Sequence, residues 1–206
     1  VEASTYIRES IRAGQSVWLA QSEGRAKDGI DQTDISVLKM LQLSDRKGSL
    51  LDSLISLNIV PMSLSYEFDP CDQLKARELT KIEDSGSYTK QPGEDLMSLV
   101  RGLSGAKGRV MLRLGQPLRN DYQTLEQVVE EVDRQVLSNA TIRPINLWAY
   151  EQLFGQISSS HASEAAIIDE DQRSLFEARQ AVCPQPWQQA WLRIYANPVV
   201  SSQKYQ

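Results

Sequence analysis

Apolar and polar positions recur with different periods along this chain, and the periods mark its elements. Tyr6, Ile7 and Ile11 share a helical stripe that stops at Gly14, a residue suited to a helix C-terminal cap. Ser16-Val17-Trp18-Leu19-Ala20-Gln21 is short, apolar and bounded by glycines, which predicts a buried strand with Trp18 in the core. A polar, charge-dense loop runs from Ser22 to Thr33. Thr33 or Asp34 can then cap a helix carrying Ile35, Leu38 and Leu41 on one face. After Gly48, Leu51, Leu54 and Ile55 form another helical stripe. Ile59 to Tyr66 reads as a strand with Pro61, which lacks an amide donor, at its start or on an edge. From Asp69 to Gly108 the chain is polar and helical in parts, around a loop at Ser85-Gly86-Ser87. Arg109 to Leu114 alternates with period two, a third strand.

The clearest helix spans about Tyr122 to Leu137, where Leu125, Val128, Val129, Val132 and Val136 line one face and acidic residues the other. Beyond Arg143-Pro144 lie three further helical stretches, Ile145–Phe154, Glu164–Ala181 and Trp187–Tyr195, with a Ser158-Ser159-Ser160 break between the first two. Strands alternating with helices predict an α/β class: a partial mixed or parallel sheet flanked by helices, with a mostly helical C-terminal region. The expected division is 1–140 for the α/β part and 141–206 for a helical extension. Three strands make a thin sheet for this much apolar surface, and further strands N-terminal to them would complete it. The opening Val1-Glu2-Ala3-Ser4 has no initiator methionine and runs straight into a helix, which suggests an excised piece of a longer chain.

Composition narrows the function classes. With 206 residues, 41% of them hydrophobic, the chain can bury a core. Its net charge of −5 argues against a general nucleic-acid binder. No apolar run approaches a membrane span. Cys71 and Cys183 make no metal-ligand pattern, and a reduced cytoplasmic compartment is the simplest reading, with one disulfide as the alternative.

Chemistry concentrates in the loop after the first predicted strand, Glu23-Gly24-Arg25-Ala26-Lys27-Asp28-Gly29. Loops at strand C-termini in α/β sheets are common ligand sites. Glycine permits close backbone approach. Arginine grips a phosphate through paired charge-assisted hydrogen bonds, and a nearby glutamate can orient it. From the pattern alone, a surface turn with a salt bridge is preferred over an anion site for these residues.

This block resembles the Glu-Gly-Thr-Arg block of the lysophosphatidic acid acyltransferase superfamily. It resembles more closely the Glu-Gly-Arg-Ala-Lys-Asp-Gly of a bacterial branch of glycerol acyltransferases. Ile59-Val60-Pro61-Met62 is similar to that family's final Val-Pro strand, and Ser65-Tyr66-Glu67-Phe68-Asp69-Pro70-Cys71-Asp72 to the same branch. The likeness covers most of the first 120 residues. Arg25 stands where the wider family has Thr, and Ala26 where its arginine stands.

The resemblance implies that residues 1–140 are the C-terminal part of an acyltransferase domain. The implied activity is O-acyl transfer from acyl-CoA or acyl carrier protein to a glycerol-phosphate or lysophospholipid acceptor. The acyl donor is a co-substrate, and no cofactor or metal is implied. Glu23, Gly24, Arg25 and Lys27 would bind the acceptor, and Pro61 would shape the strand behind the site. The family's base is a His-x4-Asp pair N-terminal to the Glu-Gly block, and this sequence contains none, so no catalytic residue is assigned. The lone His161 has Ala166 at the position the aspartate would need and reads as a loop histidine. A Ser-His hydrolase built on Ser158 to Ser160 lacks a Gly-x-Ser-x-Gly elbow. The alternative of a different class is a non-catalytic module that binds lipid or acyl carrier protein. Work on lipids would proceed from the cytoplasm, peripheral to the inner membrane.

Two further features admit bland readings. Trp187, Trp191, Leu192 and Tyr195, with Arg193, suit a membrane interface or a docked helix, and core packing is preferred because no lysine-rich face accompanies them. Arg8, Arg12, Lys39, Arg46 and Lys47 read as a solvated face rather than a surface for anionic lipid.

Overall fold

The computed structural model describes residues 2–22, 26–45, 48–155 and 170–205. These are mostly helical, with one two-stranded sheet, β1 (Met62–Tyr66) beside β2 (Val110–Leu114). The Glu67 N–H donates to the Arg109 carbonyl and the Gly115 N–H to the Pro61 carbonyl, at 2.9 and 2.8 Å, so the strands run antiparallel. The expected parallel or mixed sheet flanked by helices is therefore corrected to a small antiparallel ladder. Ser16–Gln21, expected as a strand, is not one. A strand needs a neighbour to accept and donate along its edge. The bond recorded at this segment's end is the Asp34 N–H to the Gln21 carbonyl, 2.8 Å. Trp18 is 71% exposed, not core.

The chain divides into two compact units. The first comprises Val1–Ala26, Asp31–Ser63 and Arg113–Asn139. It holds α1 (Glu2–Arg12), α2 (Ile35–Gln42), α3 (Leu50–Ile55) and α6 (Leu125–Ser138). Asp34 caps α2 through its side chain, accepting from the Ser36 N–H at 2.8 Å, and Thr124 caps α6 through the Gln127 N–H at 3.3 Å. The amphipathic stripe of α6 buries Leu125, Val128, Val132 and Val136 against Leu38, Leu41 and Leu54. Pro61 is buried and immediately precedes β1, where its missing donor costs no ladder bond. Arg8 does not lie on a solvated face. It is 6% exposed, donating to the Ser44, Ser53 and Ser56 hydroxyls at 3.2, 2.7 and 3.0 Å, with Asp45 at 3.5 Å as counter-charge. Arg46 and Lys47 lie outside the described residues.

The second unit comprises Lys27–Ile30, Leu64–Leu112 and Ala140–Gln206. Its helices are α4 (Asp72–Ser85), α5 (Glu94–Ser104), α7 (Pro144–Phe154), α8 (Glu170–Ala181) and α9 (Gln188–Gln203), with a 3-10 turn at Gln185–Trp187. α9 packs on α7 and α4. The aromatic stripe of α9 is core: Trp191 lies 5.1 Å from Phe176 and 4.9 Å from Tyr195, ring centre to ring centre. Pro198 sits inside α9 and has no N–H to offer the Ile194 carbonyl one turn back. No helix among the described residues is long and apolar enough to cross a membrane.

Candidate functional site

Of the acceptor-binding residues expected from the sequence, Glu23, Gly24 and Arg25 lie outside the described residues. Lys27 belongs to the second unit and Pro61 to the first. The latter half of the block is held by three different interactions. The Lys27 ammonium pairs with Glu78 of α4 at 2.5 Å, an ion pair in which Lys27 is 39% exposed and Glu78 12%. The Asp28 carbonyl accepts from the Asn197 side-chain amide of α9 at 2.8 Å, and the Asp28 carboxylate takes the Ile30 N–H at 3.0 Å, a local turn. Gly29 has φ +79°, and a Cβ there would overlap the Ile194 carbonyl oxygen and touch the Pro198 ring. The carbonyl that Pro198 leaves without a helical partner is thus the one on which Gly29 rests. An anion bound at Lys27 would have to compete with Glu78 for the ammonium.

The second stretch of resemblance, Ser65 to Asp72, brings three carboxylates into the protein, each with its own cation. Glu67 is 3% exposed and accepts from the Arg109 guanidinium and the Arg109 N–H, both at 2.8 Å. Burial works to raise this carboxyl, but the Arg109 hydrogen bonds outweigh it, and the net shift is downward. Asp69 pairs with Lys75 at 2.6 Å. Asp72, 4% exposed, accepts from Arg179 at 2.7 Å and from the Tyr195 hydroxyl at 2.8 Å. Burial, reinforced by the Asp72 charge, pushes the Tyr195 phenol well above its ordinary value, so it stays a donor. The Cys183 thiol is pushed up to about 11, first by burial and then by Asp72. Both cysteines are free and buried. A thiol held protonated in this way is a poor nucleophile. This network is satisfied and structural in character, and it encloses no unpaired charge waiting for a substrate.

In the first unit a cleft of about 610 Å³ is lined by Arg119, Arg134, Glu131 and Gln135, among others. Its cations are also engaged, Arg134 with Glu131 at 2.7 Å and Arg119 with Asp121 at 3.3 Å. Among the described residues, no group of His, Cys, Asp and Glu could hold a metal ion. His161 and Ser158 to Ser160 lie outside the described residues.

Sequence reasoning missed Glu78, Asn197 and Arg179, which hold the two blocks of resemblance, and read Tyr195 as core without its bond to Asp72. Arg179 and Tyr195 reach Asp72 across more than a hundred residues of chain, and no local pattern signals such a pairing. Pro198 within a helical pattern was the one available cue, since it announces a carbonyl lacking its partner.

No protein-family model matches the chain, and no curated protein or solved structure matches it. The resemblance to glycerol acyltransferases therefore rests on the residues quoted for it.

Proposed function

We propose that this chain is the acceptor-binding part of an O-acyltransferase that moves a fatty acyl group from acyl-CoA or acyl carrier protein to a glycerol-phosphate or lysophospholipid. The observation that carries the reading is the seven-residue block Glu23 to Gly29, whose Lys27-Asp28-Gly29 half is pinned by an ion pair, a side-chain amide and a glycine-only contact. In this reading Arg25 grips the acceptor phosphate and Glu23 orients the guanidinium or the acceptor hydroxyl. The acceptor oxygen attacks the thioester carbonyl, the C–S bond breaks, and the proton lost by the hydroxyl ends on the departing thiol. A base must carry that proton, and the family's His-x4-Asp pair would be supplied by a segment other than this one. The acceptor places the reaction on the cytoplasmic side, at the surface of the inner membrane.

A second reading, of a different class, is a non-catalytic module that binds lysophospholipid or acyl carrier protein through the same loop. Calorimetric titration with glycerol 3-phosphate and lysophosphatidate, and acyl-transfer assays on a polypeptide that also carries the His-x4-Asp segment, separate the two. Arg25→Ala should weaken acceptor binding by about 2–4 kcal/mol, the worth of a lost bidentate charge-assisted contact. Arg25-dependent transfer supports the enzyme, and Arg25-dependent binding without turnover supports the module. Acceptor affinity and kinetics indifferent to Arg25 would remove the site assignment from both.

A further inference from the structure

In an antiparallel ladder, successive residues of a strand send their backbone N–H and C=O groups alternately to one side and to the other. The bonds from the Glu67 N–H to the Arg109 carbonyl and from the Gly115 N–H to the Pro61 carbonyl fix that alternation in β2. Met111 and Arg113 turn their backbone groups to β1. Val110, Leu112 and Leu114 turn theirs to the opposite side, where no strand lies among the described residues. Side chains alternate as well, so Val110, Leu112 and Leu114 share one face and Met111 and Arg113 the other. Every residue of β2 is exposed, Val110, Leu112 and Leu114 by 49, 51 and 67%. An edge of this kind is ordinarily blunted by proline, a bulge or several charges, and within β2 the one charge is Arg113. A two-stranded sheet is also marginal by itself and gains from a further strand.

Backbone groups presented at strand spacing select the chemistry of the occupant, because another extended chain satisfies them and a helix face does not. The occupant must also set apolar side chains opposite Val110, Leu112 and Leu114, and no cation opposite Arg113. β2 itself meets both conditions. With two copies antiparallel about a twofold axis at Leu112, Leu112 faces Leu112, Val110 faces Leu114, and Met111 faces Arg113. The outward backbone groups of each copy then meet only outward groups of the other. Centring the axis on Met111 would set Arg109 opposite Arg113, and centring it on Arg113 would set that arginine opposite its own copy. Apolar side chains, backbone groups and charges therefore agree on one register.

We propose that β2 is a homotypic interface, at which two copies of this chain join their two-stranded sheets edge to edge about a twofold axis at Leu112. The pairing requires neither turnover nor an occupied acceptor loop, so it stands or falls separately from acyl transfer. α5 supplies a contrasting surface. It keeps Glu94, Ser98 and Gly102 half-buried and turns Leu96, Leu99 and Leu103 outward, Leu103 being 75% exposed. A helix bonds its own backbone, so this stripe offers apolar area without a row of donors and acceptors.

Sedimentation velocity of the whole chain over a range of concentrations tests the proposal, and a monomer–dimer equilibrium is expected. Leu112→Lys, which sets two ammonium groups face to face on the axis, should weaken the dimer at least about tenfold. Leu112→Pro, which removes an N–H that the pairing with β1 does not use, should weaken it as well. The two substitutions act through different groups, and circular-dichroism melting checks that each variant folds. Under mild oxidation Leu112→Cys should cross-link the dimer and Leu103→Cys should not, the native Cys71 and Cys183 being buried. A chain that stays monomeric, or a dimer indifferent to both the lysine and the proline, overturns the proposal. So does cross-linking through Leu103 instead of Leu112, an outcome that assigns self-association to α5.

Discussion

Gly29 sits at φ +79° with the Ile194 carbonyl oxygen where a Cβ would stand, and both facts exclude a side chain there. Gly29→Ala should cost about 2–4 kcal/mol, combining a left-handed backbone penalty with overpacking against α9. A urea midpoint within error of the parent would show that Gly29 does not rest on α9. The same reasoning explains which residues could be read in advance. Gly14 and Asp34 are legible as caps because a cap depends on neighbours three or four positions away. Arg8 was misjudged because a guanidinium can be buried wherever enough oxygens converge, and its serine acceptors come from 36 to 48 positions along the chain. The acceptor loop divides along the same line: glycine, arginine and lysine in close succession suggest anion binding, but Glu78 as the competitor for Lys27 emerges only from packing.

At the scale of elements, α4 and α5 are joined through Glu94, which receives Arg77 and the Tyr88 hydroxyl at 2.6 and 2.5 Å. The Tyr88 hydrogen bond leads the interactions that lower this carboxyl from its ordinary 4.5 to about 2. A carboxylate whose folded pKa is depressed adds stability that is fully present above the unfolded value and is lost as pH falls through the folded one. Part of the stability of the second unit should therefore drain away between about pH 4.5 and pH 2. Glu94→Gln should flatten the melting temperature across that window while lowering it at neutral pH, as thermal melts at stepped pH would show. An identical acid limb in the variant would mean that Glu94 is not held in this way. α6 was legible because its stripe repeats over fourteen residues. The amphipathicity of α5 was equally present in its residues, but nothing local says which face turns inward, and here it is the small, polar one.

For the whole molecule, the distribution of tryptophan gives a direct check. Trp18 is 71% exposed, whereas Trp148 and Trp191 are 6% and 0% exposed. Acrylamide should quench one strongly accessible population, and Trp18→Phe should remove most of it. A quenching curve left unaltered by that substitution would place Trp18 inside the protein, as its apolar run first suggests. Periodicity, caps and turn residues are properties of a few successive positions, and by itself the sequence determined where most helices lie, the positions of two of the three strands it suggested, and an acidic character. The partner of each strand, the inward face of α5 and the cations that meet Glu67, Asp69 and Asp72 were decided only by tertiary structure. Each of these choices minimises exposed surface and unpaired charge over residues far apart in the chain, and such a sum has no local signature.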